Sequence, residues 1–398
     1  MSAGVDAAAG RDPAIDAAGW GEPIPLYQPH NPAFWLYIGV VVLGAVHLAT
    51  EVANIGPQYT AAMVSSAFIW ALYCLPWVWF LHHKDRFGRE TRRLAVVGFL
   101  WGGFAATWVM ALPGNAAMLS IFSKLFDADT ANSIGPMITA PLVEESAKGV
   151  GVVMLVLLAG RVVRTSYDGF ILGAYVGLGF QVFEDWLYGV NASTSAFGFN
   201  QVQSSFATFA SRGSFSGLVS HTLYTALVGA GIGAWVQSRG EPLGSRLPRV
   251  IGPIAAALVA HGIWDLAAFG GYKAIVIVTG IFAVVMVLVV GRSTRGQLRP
   301  WMAELLAPEV EAGLVSDEQL SVMVGSVRDR RRYVSSVKDS AGNQAGKAAR
   351  YVLDAQLDLA DALGHSRGTN SEDVEQARSE LVRLQGLLAD ATATPANA

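Results

Sequence analysis

Apolar residues in this chain fill whole stretches, where an amphipathic element would space them every third or fourth position. Eight such stretches follow one another between short polar connectors, at about 34–50, 59–81, 94–112, 134–159, 169–190, 213–237, 250–270 and 274–291. A helix that crosses the hydrocarbon core of a bilayer needs about 20 mostly apolar residues, so each stretch predicts a spanning helix. The expected fold is all-α, a polytopic membrane bundle of about eight transmembrane helices. Residues 1–33 are rich in Ala, Gly, Pro and Asp without an apolar core, which predicts a disordered tail and no signal peptide. From residue 292 the chain turns polar. Helical spacing appears at 317–332, with Leu320, Val322, Met323 and Val327, and again at 346–363 and 371–388. Ser371, with Asp373 behind it, marks the start of the last segment. The expected organisation is a tail (1–33), a membrane bundle (34–291) and a cytosolic helical extension with a disordered end (292–398).

Composition agrees with this pattern. Of 398 residues, 52% are apolar and only 15% are charged, whereas soluble domains carry about 25% charged residues. The formal charge of -3 comes with no basic stripe, so nothing points to nucleic acid. The single cysteine, Cys74, excludes an intramolecular disulfide and a cysteine-rich metal site, and its apolar surroundings make it a packing residue. The connectors orient the spans. Lys84, Arg86, Arg89, Arg92 and Arg93 lie in one; Arg161 and Arg164, then Arg239, Arg246 and Arg249, then Arg292, Arg295 and Arg299 lie in every second one after it. The alternate connectors hold only Lys124, Arg212 and Lys273. The positive-inside rule then places both termini in the cytoplasm.

Ionisable residues inside the apolar stretches are the informative exceptions. The stretch 134–159 contains Pro141-Leu-Val-Glu144-Glu145-Ser-Ala-Lys148. Each ionised group at mid-depth costs about 2.5–3.5 kcal/mol. Glu184 and Asp185 follow in the next stretch, His221 in the one after it, and His261 with Asp265 in the seventh; His47 and Glu51 lie near one end of the first. At about 1.5 Å per residue, the four helices carry these groups to a common level between mid-membrane and the outer face. Lys148 is three residues from Glu145 and four from Glu144, so it can pair with either. Phe180 lies four residues before Glu184, which places a ring beside that carboxylate. Glycines at 173, 177 and 179, and at 229, 231 and 233, allow close backbone approach.

Three readings follow from the residues alone. The groups could form a satisfied polar network, although intramembrane hydrogen bonds average only about 0.6 kcal/mol. They could form a proton or ion pathway, as in a membrane binder or ion-coupled transporter, although no inverted repeat is visible. They could carry hydrolysis: a carboxylate takes a proton from water while His or Lys stabilises the oxyanion, or Glu and His hold a metal that activates the water. The established motifs do not settle the third reading. There is no His-Glu-x-x-His. Gly213-Ser-Phe-Ser216-Gly217 is one residue too long for a serine-protease loop. Tyr167-Asp168 and Gly177-Leu-Gly179-Phe180 share one helix and lack a second aspartate.

The set resembles the PrsW family of bacterial intramembrane proteases. That family carries Glu-Glu-x-x-Lys, then Phe-x-x-x-Glu-Asn, then a lone membrane histidine, then a histidine-containing span. The matches are Glu144-Glu145-Ser-Ala-Lys148, Phe180-Gln-Val-Phe-Glu184, His221, and His261 with Trp264. Asp185 stands where the family usually has Asn, and Asp265 where Asn or Asp is expected. The likeness covers about 85–332. It implies a relation to CAAX prenyl endopeptidases and bacteriocin-processing membrane proteases. It also implies glutamic- or metallo-type cleavage of a membrane-anchored protein substrate on the extracytoplasmic side, with an anti-sigma-type factor as the associated target. Carried over by motif, Glu144 and Glu145 activate water, His221 assists, and Glu184 and His261 orient or stabilise; Lys148, Phe180, Asp185 and Asp265 support them. Whether a metal takes part stays open. For a divalent ion such as zinc, the candidate ligands are Glu145, Glu184, His221 and His261.

Overall fold

The computed structural model describes residues 25, 27–84, 91–213, 220–270 and 299–393, with scattered positions between 277 and 292. Among these residues there is no strand. The chain separates into two compact units, one spanning Ile24–Asp85 and Glu90–Thr294, the other containing Arg295–Ala398.

In the first unit, α1 (Pro32–Lys84) carries both of the first two apolar stretches in one element. It kinks at Tyr59 (φ -122°, ψ 25°), two residues after Pro57, because proline removes a hydrogen-bond donor and crowds the preceding turn. Trp35, Leu36, Leu43, Phe68, Leu75 and Trp79 are exposed along it. An apolar surface of that extent is one that lipid covers. The third stretch runs further than expected, through α2 (Thr91–Leu100), a π-helical segment (Trp101–Ala111) and α3 (Leu112–Leu125). Within the π-helical segment the Thr107 hydroxyl donates to the Gly102 carbonyl at 2.9 Å.

The next helix, α4 (Ala128–Leu158), starts six residues before the apolar stretch because Asp127 caps it. The Asp127 carboxylate accepts from the Thr130 amide and hydroxyl, and these bonds hold it below the usual carboxylate range. In α5 (Ser166–Ser195), Thr165 and Asp168 form a capping box; Asp168 of the Tyr-Asp pair is therefore a helix-start residue. Three further helices follow: α6 (Gln201–Arg212), α7 (His221–Gln237) and α8 (Leu243–Gly270). Among the described residues, Pro32–His82, Arg92–Leu125 and Leu243–Leu266 are long and apolar enough to cross a membrane. The stretch at 274–291 lies largely outside the described residues.

Of the stretch at 213–237, expected as one helix entered from outside, the described part is mainly α7, which begins at His221, and α6 precedes it outside the predicted span. A corner at Phe197, Gly198 and Asn200, all with positive φ (53°, 80° and 54°), turns the chain back after α5. From there α6 runs antiparallel to α5: Ser193 bonds to the Gln201 carbonyl, a Cβ on Gly189 would meet Ser205, and Arg212 pairs with Asp185. Residues 214–219, including Ser216 of the near-miss serine motif, lie outside the described residues. Then α7 continues along the same helix: Gly177 packs on the His221 carbonyl, Gly173 on that of Thr225, and Gly169 on that of Gly229. His221 is consequently the first residue of a helix, where the sequence pattern had placed it in the interior of one.

The glycines expected to allow close approach split into separate seams. Gly169, Gly173 and Gly177 face α7, while Gly179 meets the Phe99 carbonyl and Gly231 that of Val250. A Cβ on Gly173 would collide with the Thr225 carbonyl, and a backbone cannot swing aside. Gly173→Val is expected to lower unfolding stability by about 1–3 kcal/mol or more and to reduce accumulation. Unfolding midpoints of the detergent-solubilised protein test this, and an unchanged midpoint would remove the seam from the argument.

The second unit has its own core, built from Met302, Leu305, Leu306, Met323, Val352, Leu359, Leu363, Val374 and Leu381. Its helices are α9 (Arg299–Glu311), α10 (Asp317–Val324), α11 (Val327–His365) and α12 (Glu372–Ala393). The segment expected as one helix at 317–332 is two, because Ser326 caps a new one with Asp329 as its capping-box partner. Gly342, at φ 91°, interrupts α11, so the amphipathic stretch at 346–363 is its second arm.

Candidate active site

The paired glutamates sit near the middle of α4, Glu144 being about 24 Å from its start at 1.5 Å per residue. Adjacent helical positions diverge by about 100°, and the two carboxylates meet different surroundings. Glu145 is held on three sides: Lys148 Nζ at 2.6 Å, His261 Nδ1 at 3.0 Å and the Thr225 hydroxyl at 3.0 Å. Glu144 receives one hydrogen bond, from Asn115 Nδ2 of α3 to Oε1 at 2.9 Å. Its other oxygen, Oε2, is buried and has no hydrogen-bond partner among the described residues. Around that oxygen stand Lys148 Nζ at 3.6 Å, His221 Nδ1 at 3.7 Å and His261 Nε2 at 3.7 Å.

The partners fix the imidazole tautomers. A carboxylate only accepts, so in the neutral His261 ring Nδ1 carries the proton toward Glu145 and Nε2 presents its lone pair toward Glu144. Asp265 Oδ2 flanks the same Nε2 at 3.5 Å and also lacks a hydrogen-bond partner among the described residues. In His221, Lys148 Nζ donates to Nδ1 at 2.9 Å, and Nε2 donates to Glu184 Oε2 at 3.0 Å. Phe180, expected beside Glu184, instead faces Lys148 (4.2 Å to the ring centre) and His221 (rings 5.0 Å apart).

All nine residues singled out in the sequence meet in this cluster: Glu144, Glu145, Lys148, Phe180, Glu184, Asp185, His221, His261 and Asp265. Two members escaped the sequence reading. Arg212 was counted as a connector charge, yet its guanidinium reaches Glu184 Oε2 at 2.9 Å and bonds Asp185. Asn115 lay beyond the predicted end of its span and carried no charge to mark it. A cavity of about 220 Å³ opens here, lined by the apolar Ala116, Leu119, Pro136 and Ala140 and by the polar Glu144, Glu184, Arg212, His221, His261 and Asp265.

The donor set fits a divalent cation. Glu144, His221 and His261 each offer a ligand atom, and these atoms lie within 4.8 Å of one another. Two buried carboxylate oxygens face one imidazole nitrogen with no donor between them. Among the described residues, five carboxylates share the cluster with two fixed cations, Lys148 and Arg212. Glu145 and Glu184, expected among the ligands, are not in this convergent group.

Fold and site together define a membrane protein with a carboxylate- and histidine-lined cavity inside its helical bundle. Residues 90–291 match the family described as PrsW family intramembrane metalloprotease. The chain belongs to this family, and it is a peptidase that works within the membrane. No curated relative and no solved structure matches it.

Proposed function

We propose that the chain is an endopeptidase that hydrolyses a membrane-anchored protein substrate near the extracytoplasmic side of a bacterial-type cytoplasmic membrane. Both termini are cytoplasmic in this reading, and Glu144 is the residue that activates water. The observation that carries it is the unpartnered Glu144 Oε2 on the cavity wall, beside two imidazole nitrogens. A water molecule has a volume of about 30 Å³, so the cavity has room for water and a peptide group. Glu144 Oε2 accepts a proton as the water oxygen bonds to the scissile carbonyl carbon. The same proton passes to the amine nitrogen when the carbon–nitrogen bond breaks. Glu145, tied by Lys148, His261 and Thr225, orients His261. Glu184 orients His221 through Nε2. A divalent ion such as zinc would be held by Glu144, His221 and His261; when bound it would engage the same Glu144 oxygen and supply carbonyl polarisation and a water of lowered pKa in place of proton acceptance by Glu144.

The side of cleavage is motivated by charge and depth. The arginine-rich connector at 161–168 precedes α5, and Glu184 lies about 27 Å beyond Ser166 at 1.5 Å per residue. A terminus-resolved comparison of membrane proteomes from wild type and Glu144→Gln tests substrate and side together. New termini are expected just outside apolar segments in wild type alone; an anti-sigma-type factor among them would give the regulatory role. Identical termini in both strains would sink the proposal. For the metal, purified wild type reloaded after chelation should hold about one zinc per chain, and His261→Ala far less. Elemental analysis reads this directly, and equal contents would remove the metal from the proposal.

A further inference from the structure

We infer that Arg212 is a positioning residue of the peptidase: it clamps Glu184 and Asp185 so that Glu184 can orient His221. This rests on the roles proposed above for Glu144, His221 and Glu184. Adjacent carboxylates on one helix repel, and both of these are largely buried, Asp185 almost completely. Left alone, Glu184 would turn away from Asp185 and from the imidazole. Arg212 meets both: Nε donates to Asp185 Oδ1, and Nη2 donates to Glu184 Oε2 at 2.9 Å. That Glu184 oxygen is the one that accepts from His221 Nε2 at 3.0 Å. The guanidinium and the imidazole are therefore anchored on a single atom, and through it the opposite nitrogen, Nδ1, is set 3.7 Å from Glu144 Oε2.

The setting of Arg212 suits a fixed clamp. Its guanidinium lies over the Tyr188 ring at 3.8 Å and near that of Trp264 at 5.2 Å. These faces restrict it to one plane, in which its fork spans two carboxylates as a lysine ammonium cannot. It is the last residue of α6, where the helix dipole favours a cation. The last residue of α6 and the first residue of α7 thus meet at one oxygen of Glu184. Simple neutralisation of buried charge would require only a cation. Positioning requires the fork.

Arg212→Lys separates these roles, since it keeps the charge and loses the fork. The probe is a quenched fluorescent peptide containing a cleaved transmembrane segment from the proteome comparison, reconstituted with the full chain in liposomes. The expected result is a fall in kcat of about 10- to 100-fold, the range for partners that orient an active-site histidine, with KM and the unfolding midpoint unchanged. In a Glu184→Gln background the same substitution should cost nothing further, because both act through one hydrogen bond. Wild-type kcat in Arg212→Lys, or losses that multiply in the double variant, would overturn the inference. Should Arg212→Lys accumulate poorly, Asp185→Asn/Arg212→Lys removes the carboxylate that a single ammonium leaves unpaired; recovery of kcat with that carboxylate gone would equally overturn it. Glu144→Gln on the same probe reports on the underlying proposal: full activity there defeats that proposal, whereas loss there with normal Arg212→Lys defeats only the clamp.

Discussion

Glu144→Gln is expected to abolish peptide-bond cleavage, by about 10³-fold or more, while the protein inserts, accumulates and unfolds at nearly the wild-type midpoint. A glutamine amide keeps the shape and can still accept from Asn115, so the packing of α3 on α4 survives. What disappears is the basic oxygen. A general base contributes about 10²–10⁴-fold, and a carboxylate that also faces a cation carries a further electrostatic share. Glu145→Gln should behave differently. Its carboxylate is enclosed by Lys148, His261 and Thr225, and it does not line the cavity. Replacing it should lower stability as well as activity, because Lys148 loses its nearest counter-charge. Kinetics on the reconstituted full chain and unfolding in detergent, measured on both variants, separate the two glutamates. Full activity in Glu144→Gln would reject it as the water-activating group.

Lys148→Met should produce the largest loss of stability in the molecule. The lysine is fully buried, 2.6 Å from Glu145 and 3.6 Å from Glu144, and lies over the Phe180 ring. Methionine fills similar volume but leaves two neighbouring carboxylates without their cation. Removing one partner of a buried ion pair costs about 3–5 kcal/mol, enough to unfold many proteins. The expected outcome is poor accumulation and a strongly lowered unfolding midpoint, with Lys148→Met/Glu145→Gln recovering a substantial part because the stranded charge is gone. A wild-type midpoint in Lys148→Met would show that the buried network is not what holds α4 to α7 and α8.

Much of this site is legible from spacing. Glu144, Glu145 and Lys148 fall three and four residues apart on one helix, and helical geometry alone brings them together. His261 and Asp265 do the same on α8, where Asp265 Oδ2 lies 3.5 Å from the imidazole. A constant rise per residue, counted from the expected sides of insertion, places these groups of four helices at one level, and the structure brings their side chains together. Counting failed where the backbone departed from a straight span. The hydropathy pattern puts His221 in the interior of a helix that in fact begins with it, and Arg212 in a connector, because no local signal shows α6 folding back along α5. Asn115 was missed since the π-helical segment carries its helix past the predicted end. The distinction between the two glutamates was also invisible: both are apolar-run carboxylates four or fewer residues from Lys148. Only the packing of α3, α7 and α8 around α4 leaves one enclosed and the other open to the cavity.

The sequence by itself determined the class: long apolar runs and their charged interruptions define a membrane protein with ionisable groups inside it, and the likeness of four motifs to the PrsW family points to a peptidase and to nine residues of its centre. These are local quantities, a sum of hydropathies and a count of positions, and they survive without knowledge of neighbours. Tertiary structure decided which residue does what. The Glu145 enclosure, the open Glu144 oxygen, the orientation of both histidines and the Arg212 bridge depend on contacts between helices far apart in the chain. Such contacts follow from how helices pack, glycine seam against backbone, and no run of residues encodes them on its own.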